Sequence, residues 1–277
     1  MTLATLSEVL QPALRCGYAV AGLVVLGWED ARAYVAAAEA EGAPLILQAG
    51  PGCRAYTPLP VLAAMFRHLA EAATVPVVAH LDHGYSADDC RAAIDCGFSS
   101  VMFDGSQLPL DENIAQTRAI AEIAHGAGVS LEGEIGFVGY AAGAASHGTD
   151  PDEARLFAQE TGVDAMAISI GNVHLQEAQG AAINMDLLRA IEAVTDVPLV
   201  LHGSSGIPDV TRRDLALTSK ICKFNVGTEL RQVFGASLRQ QLAQNPGGFD
   251  RIEILSAVET PLTDAARKVI RTIFRAS

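Results

Sequence analysis

The chain repeats a short apolar run followed by a longer amphipathic segment rich in Ala, Glu, Arg and Leu. Short runs of this kind predict β-strands, and the longer segments predict helices that cover them. The predicted strands begin near Tyr18, Pro44, Pro76, Ser100, Val129, Asp164, Pro198 and Cys222. The predicted helices span about 30–41, 58–73, 86–96, 110–126, 152–161, 184–194, 208–217 and 228–244.

Strict alternation of eight strands and eight helices predicts an α/β fold, the (β/α)8 or TIM barrel. A doubly wound open sheet has the same alternation, but it usually carries a G-x-G-x-x-G turn after its first strand. Here that strand ends in LGW, without such a turn. Because no linker interrupts the pattern, we expect a single domain over 1–277, with a helical extension at about 245–277. The small-residue-rich connection 136–150 is a candidate mobile lid.

Composition narrows the range of partners. Nineteen Lys and Arg residues against 32 Asp and Glu residues leave a net charge of −13. A chain this acidic lacks the basic surface that binds nucleic acid or an anionic membrane, so we expect a small-molecule substrate. The five cysteines form no C-x-x-C pair, and the first residues do not resemble a signal peptide. No apolar run is long enough to span a bilayer. These features indicate a cytoplasmic protein.

Polar residues collect where the predicted strands end. In a TIM barrel the carboxyl ends of the strands meet at one rim, and that rim carries the active site. The polar residues at these ends are Asp82 and His83, Asp104, Glu134, His174, His202 and Asn225, in chain order from the third strand to the eighth. The sequence therefore predicts that they converge.

Three imidazoles at one barrel mouth favour a divalent transition metal. We expect Zn²⁺ bound by His83, His174 and His202, with one position open for substrate. Such an ion acts as a Lewis acid towards a carbonyl group. Asp82 precedes a predicted ligand, but on an extended strand it would point to the opposite side, towards the cavity or towards a neighbour. It is our candidate acid/base residue.

Two loops rich in small residues follow the last two strands. In TIM barrels these loops commonly bind phosphate through backbone N–H groups and a helix N-terminus. A phosphorylated sugar would suit such a site. The candidate phosphate-binding residues are Gly203, Ser204, Ser205, Asn225, Val226, Gly227 and Thr228.

Six motifs, taken together, indicate a known family. They are HLDHG at 80–84, SVMFDGS at 100–106, LEGEIG at 131–136, TGVDAMAISIG at 161–171, PLVLHGSSG at 198–206 and KFNVGTE at 223–229. In order and spacing the chain resembles the class II, metal-dependent ketose-bisphosphate aldolases, the fructose- and tagatose-bisphosphate group.

The resemblance implies zinc-dependent, reversible cleavage of a phosphorylated ketose to dihydroxyacetone phosphate and an aldehyde. It implies that Asp82 moves the proton of the C4 hydroxyl, and that the three histidines bind zinc. Asp104 and Glu134 would support those ligands or bind a second or alternative metal ion. The phosphate end is often assisted by a monovalent cation in this family, and relatives are mostly dimers or tetramers, so a homo-oligomer is expected.

The chain departs from the family pattern in parts that select substrate. Residues 21–28 read AGLVVLGW where relatives usually read A-F-N-V-N-N, and Leu175 replaces the usual Gly after the zinc-binding histidine. The lid lacks the Glu that protonates the enediolate in relatives. Either Tyr140, His147 or Asp150 replaces it, or proton exchange is slow, or the reaction differs.

Two other functions fit the same barrel. A metal-dependent sugar-phosphate epimerase would use the same residue types without cleaving a carbon–carbon bond. A sugar-phosphate binder that has lost turnover would explain the altered lid. A Schiff-base aldolase requires a desolvated lysine at the site, whereas Lys223 lies near the start of the eighth predicted strand.

Overall fold

The computed structural model describes residues 2–274. Its strands are β1 (Leu3–Ala4), β2 (Val20–Val24), β3 (Leu45–Ala49), β4 (Val77–Gly84), β5 (Ser100–Phe103), β6 (Ser130–Ile135), β7 (Ala165–Ile168), β8 (Leu199–Leu201) and β9 (Ile221–Val226). Strands β2 to β9 each pair in parallel with the next, and β2 pairs with β9 to close the ring. The predicted TIM barrel is therefore confirmed. β1 lies beside the first residues of β4, where β5 has not yet begun.

Twelve helices lie within the described residues. They are α1 (Leu6–Cys16), α2 (Trp28–Glu41), α3 (Pro51–Tyr56), α4 (Leu59–Ala72), α5 (Ala87–Cys96), α6 (Leu110–Gly126), α7 (Pro151–Thr161), α8 (Met185–Glu192), α9 (Asp209–Thr218), α10 (Thr228–Gln244), α11 (Arg251–Ser256) and α12 (Glu259–Phe274). The eight helices expected from the pattern agree with α2 and with α4 to α10 to within a few residues. Neither α1 nor α3 was predicted. None of the described helices has the length and hydropathy needed to cross a membrane.

Helix α1 closes the amino-terminal end of the barrel. It begins with a capping box, in which the Thr5 hydroxyl accepts the Glu8 N–H at 3.3 Å and Glu8 accepts the Thr5 N–H at 2.7 Å. Its apolar face packs with residues from the interior of the barrel, including Ile46 and Val78, in one buried cluster. Because this end of the barrel is filled with hydrocarbon, a polar site open to substrate has to lie at the opposite rim.

Helix α12, at the end of the described chain, packs against α2. The buried Glu41 carboxylate accepts hydrogen bonds from Arg267 at 2.9 Å and from Arg271 at 2.7 Å. The larger hydrophobic core lies between the barrel and the surrounding helices and includes Leu262, Val269 and Ile270 of α12.

Two long connections cover the carboxyl-terminal rim of the barrel. Residues 136–150 join β6 to α7, and residues 169–184 join β7 to α8. They are hydrogen-bonded to each other, since the His174 N–H donates to the Gly139 carbonyl at 2.8 Å and the Ala141 N–H donates to the His174 carbonyl at 3.0 Å. The candidate lid therefore touches the backbone of a candidate zinc ligand.

Candidate active site

The predicted polar residues converge on the carboxyl-terminal rim of the barrel. A cavity of about 130 Å³ opens there. Nine of the predicted site residues line it, namely Asp82, His83, His174, His202, Gly203, Ser205, Asn225, Gly227 and Thr228. Asp104 and Glu134 lie behind His83, at 2.8 Å and 3.9 Å from its Nδ1 atom.

A β-bulge in β4 sets the directions of Asp82 and His83. Leu81 pairs with Val101 and Gly84 pairs with Phe103, so two residues of β4 face one residue of β5. His83 has a left-handed backbone, with φ of 51°. Asp82 does line the cavity, one of the two directions expected for it, but it does not lie on the opposite side from His83. Both side chains line the cavity, and Asp82 Oδ1 is 3.9 Å from His83 Nε2.

The three histidines bring their ring nitrogens close enough together to hold one metal ion. The Nε2 atom of His83 and the Nδ1 atom of His202 face each other at 3.0 Å. The His174 ring lies 5.3 Å from that of His83 and 5.6 Å from that of His202, measured between centroids. One nitrogen from each of the three rings lies within 4.8 Å of the chosen nitrogens of the other two. This donor set fits a zinc ion, which prefers imidazole nitrogen in a tetrahedral arrangement.

Carboxylates fix the orientation of two of these rings. Asp104 Oδ2 contacts His83 Nδ1 at 2.8 Å, and Glu132 Oε1 contacts His202 Nε2 at 3.0 Å. Each contact leaves the other ring nitrogen directed into the cavity, as carboxylates do behind zinc-bound histidines.

The sequence analysis missed the role of Glu132. Its second oxygen accepts a hydrogen bond from Lys223 Nζ at 2.6 Å, and both side chains are fully buried inside the barrel. Lys223 also contacts His80 Nε2 at 3.2 Å. The spacing of Glu132 and Glu134, two residues apart on one strand, could have revealed that both point inward.

Charges around His83 shift several pKa values. Burial alone would lower the pKa of His83, but the negative charges of Asp82, Asp104 and Glu134 outweigh it and raise the pKa to about 9. Burial opposes ionisation of Asp104, yet the hydrogen bond and charge of His83 lower its pKa to about 2. Burial also opposes ionisation of Asp82, but the nearby His83 charge brings its pKa below the usual value. The site thus keeps carboxylates ionised next to a group that can be cationic.

Glu134 differs from the other carboxylates. Burial, reinforced by the charge of Asp104, raises its pKa well above the usual value. Its Oε2 atom is buried without a hydrogen-bond partner among the described residues, and it forms a second potential metal-binding group with His83 and Asp104. An unpartnered buried carboxylate oxygen of this kind fits a ligand to a cation.

The two predicted phosphate loops lie side by side. The Ser205 hydroxyl accepts the N–H groups of Gly227 at 3.3 Å and Glu229 at 3.2 Å, which joins the loop after β8 to the start of α10. Two predicted residues have side chains that do not reach the cavity: the Ser204 hydroxyl donates to the Leu201 carbonyl, and Val226 packs in the hydrophobic core.

The three lid residues considered as acids have different surroundings. Asp150 caps α7 and accepts the N–H groups of Asp152 and Glu153. His147 is paired with Phe137 in an antiparallel bridge. Tyr140 lines the cavity, and its ring stacks on His174 with centroids 5.0 Å apart. Of the three, only Tyr140 is at the site.

The region that departs from the family pattern also lines the cavity. Val24, within this region, stands at the cavity wall. Leu175 adopts a left-handed backbone with φ of 58°, and about half of its side chain is exposed. The chain thus keeps a conformation that glycine adopts readily while carrying a branched side chain.

Comparison with known proteins identifies the family. The family model for class II fructose-bisphosphate aldolase matches residues 4–277. The chain belongs to this family. It is therefore an aldolase, an enzyme that makes or breaks a carbon–carbon bond.

Individual relatives carry different substrate names. The chain is 37% identical to the 6-phospho-5-dehydro-2-deoxy-D-gluconate aldolase of Bacillus subtilis, over 99% of this chain and 95% of that one. It is 38% identical to the fructose-bisphosphate aldolase of Geobacillus stearothermophilus, over 92% and 91%. Among solved structures, the YdjI aldolase of Escherichia coli K12 superposes with a TM-score of 0.85 at 31% identity, covering 98% of this chain and 97% of that one.

Proposed function

We propose that this aldolase catalyses zinc-dependent, reversible cleavage of a phosphorylated ketose to dihydroxyacetone phosphate and an aldehyde. The observation that carries the proposal is the facing pair of His83 Nε2 and His202 Nδ1, each ring held from behind by a carboxylate, with His174 beside them. A zinc ion held by these three rings would withdraw electrons from the substrate carbonyl and stabilise the charge formed on cleavage.

Asp82 is the base in this proposal. Its carboxylate lines the cavity, and positive charge at the neighbouring His83 position lowers its pKa, so it is ionised at neutral pH. With His83 bound as a neutral ligand, the zinc ion would supply that positive charge. Asp82 takes the proton of the C4 hydroxyl, C4 becomes the aldehyde carbon, and the C3–C4 bond breaks. Its electron pair passes towards the C2 carbonyl oxygen. Asn225, whose amide lies 3.5 Å from Asp82 Oδ1, helps to orient the carboxylate.

The remaining carbanion equivalent must gain a proton at C3 before dihydroxyacetone phosphate leaves. Tyr140 is the proposed donor, since it is the lid residue that lies at the cavity. Burial, together with the charges of Asp104 and Glu134, raises its pKa, so the hydroxyl keeps its proton at neutral pH. Donation to carbon transiently leaves a phenolate, which Asp82 or solvent reprotonates.

The phosphate end of the substrate is assigned to the joined loops. Gly203, Ser205, Gly227 and Thr228 all line the cavity, and α10 begins there. Backbone N–H groups at a helix start favour an anion. Glu134 with Asp104 offers a place for a second divalent or a monovalent cation.

The test is a coupled assay for release of dihydroxyacetone phosphate. The panel contains fructose and tagatose mono- and bisphosphates and 6-phospho-5-dehydro-2-deoxy-D-gluconate, with and without a chelator and with zinc added back. Release that is lost with chelator and restored by zinc supports the proposal. Zinc-loaded protein that releases nothing from any member contradicts it, and formation of a C4 epimer in the same tubes would identify the epimerase instead.

A further inference from the structure

The bulge in β4 leaves two backbone carbonyls that the barrel does not pair in the regular way. Leu81 and Gly84 pair with β5, whereas Asp82 and His83 together face one residue of that strand. A left-handed φ at a non-glycine residue is also unfavourable in itself. The bend at His83 therefore needs support from outside β4.

Arg54 supplies that support. Its Nη1 atom donates to the carbonyls of Ala49 at 2.7 Å and Asp82 at 2.5 Å, and its Nη2 atom donates to the His83 carbonyl at 2.9 Å. In the described part of the chain, every hydrogen bond made by this guanidinium goes to a main-chain carbonyl. One planar group thus holds two consecutive carbonyls of β4 and ties them to the end of β3.

Local structure explains how Arg54 reaches this place. Gly50 and Pro51 end β3 and start α3 directly, and the Arg54 N–H donates to the Gly50 carbonyl in the first helical turn at 3.0 Å. Proline suits the first position of a helix. The short helix α3 therefore carries Arg54 from the end of β3 to the end of β4.

We propose that Arg54 is a positioning residue, which holds the left-handed bend at His83 and so directs the Asp82 carboxylate and the His83 imidazole into the same cavity. The inference rests on the proposed function, which makes Asp82 the base and His83 a zinc ligand. Arginine is required because its planar fork can bond two carbonyls in a fixed geometry, whereas the single ammonium of lysine cannot reproduce it.

The experiment compares Arg54→Gln and Arg54→Lys with a matched control, Arg67→Gln. Arg67 also donates to a main-chain carbonyl, that of Cys96 at 2.7 Å, but it is exposed on α4 and away from the cavity. Cobalt, a spectroscopic substitute for zinc, is titrated into each metal-free full-length protein, and its affinity and visible spectrum are recorded. The kcat and KM of cleavage are measured on the substrate that the panel identifies.

We expect Arg54→Gln to weaken cobalt binding and to lower kcat, each by about 10- to 100-fold, with KM changed less than kcat. Its cobalt spectrum should differ from that of the parent, and Arg54→Lys should fall between the two. Arg67→Gln should match the parent in all respects. A further variant, Arg54→Ala, leaves room for a free guanidinium ion, and guanidinium at low millimolar concentration should restore part of its kcat.

Parent-like cobalt affinity, spectrum and kcat in Arg54→Gln would overturn the proposal. If Arg54→Gln does not fold, Arg54→Lys is tested in its place. Parent values of cobalt affinity, spectrum and kcat in Arg54→Lys would show that the planar guanidinium is not required. Loss of activity with an unchanged cobalt site and no rescue by guanidinium would show a merely structural role. A parent that binds cobalt but cleaves no member of the panel would refute the proposed function, while the cobalt comparison would still decide the role of Arg54.

Discussion

His83 and Leu175 both have left-handed backbones, with φ of 51° and 58°, and both line the same cavity. They are the two non-glycine residues with positive φ in the described part of the chain. Such conformations cost roughly 1 to 2 kcal/mol each and persist where the surrounding structure holds them. At His83 the bend directs a proposed metal ligand into the cavity, and at Leu175 it places an isobutyl group at the mouth of the cavity.

Replacing Leu175 should therefore change selectivity more than stability. In Leu175→Gly, relief of left-handed strain is offset by the entropy of glycine in the unfolded chain, about 0.5 to 1 kcal/mol. We expect the free energy of unfolding to stay within about 1 kcal/mol of the parent, while KM falls for bulkier ketose phosphates. Urea unfolding and kinetics across the panel measure the two effects.

The matched variant for this prediction is Leu175→Ala, which removes the bulk but keeps the strained Cβ. It should show the same change of selectivity with a lower stability than Leu175→Gly. Identical selectivity in all three proteins would show that Leu175 does not limit the cavity.

Asp82→Asn should stop turnover without releasing the metal. The amide cannot accept the C4 hydroxyl proton as a carboxylate does, and loss of a general base typically costs about 10² to 10⁴ in rate. His202→Ala should lose both zinc and activity. Zinc per chain, measured by atomic absorption, and kcat for dihydroxyacetone phosphate release separate the two cases. An Asp82→Asn enzyme with near-parent kcat would refute the assignment of the base.

Tyr140→Phe should block proton transfer to carbon. With dihydroxyacetone phosphate alone in D₂O, the parent should exchange the hydrogen of the hydroxymethyl carbon, as followed by proton NMR. We expect this exchange to fall by about 10² or more in Tyr140→Phe. His147→Gln, altered in the same loop but away from the cavity, should exchange at the parent rate. The reverse pattern would transfer the role to His147.

Glu41→Gln should weaken the attachment of α12 in a pH-dependent way. Hydrogen bonds from Arg271, and from Arg267, lower the pKa of Glu41 from 4.5 to about 2 in the folded protein against the cost of burial. Because the pKa of Glu41 is lower in the folded protein than in the unfolded chain, the ionised carboxylate contributes its full stabilisation above about pH 4.5. That stabilisation is lost as the pH falls towards about 2. The difference between the two pKa values corresponds to about 3 kcal/mol of folding free energy. Because solvent screens the partly exposed arginines, we expect Glu41→Gln to lower the free energy of unfolding by about 1 to 2 kcal/mol at neutral pH.

Urea unfolding at neutral pH and at successively lower pH measures this effect. The deficit of Glu41→Gln relative to the parent should shrink as the pH falls below about 4.5. Glu71→Gln, at an exposed position of α4, is the control and should behave as the parent. A deficit that does not change with pH would show that packing, and not charge, attaches α12.

Much of the barrel could be predicted from local pattern. Strands buried on both faces have to be apolar almost throughout, so the polar residues that end them stand out, and the barrel brings those ends to one rim. The positions of His83, His174 and His202 at that rim follow from this regularity. The helix α1 could also have been predicted, since Thr5 and Glu8 form a capping box ahead of apolar residues at helical spacing.

Other features were decided only by the tertiary structure. Strand periodicity placed Asp82 and His83 on opposite faces, but a bulge paired against β5 and held by Arg54 from α3 turns both into the cavity. The contact between Glu132 and Lys223 joins residues 91 positions apart. A local pattern reports which face of an element is buried. It does not report which buried groups from distant elements meet, because that depends on the closure of the barrel, and closure brings Arg54 to β4 and Lys223 to Glu132.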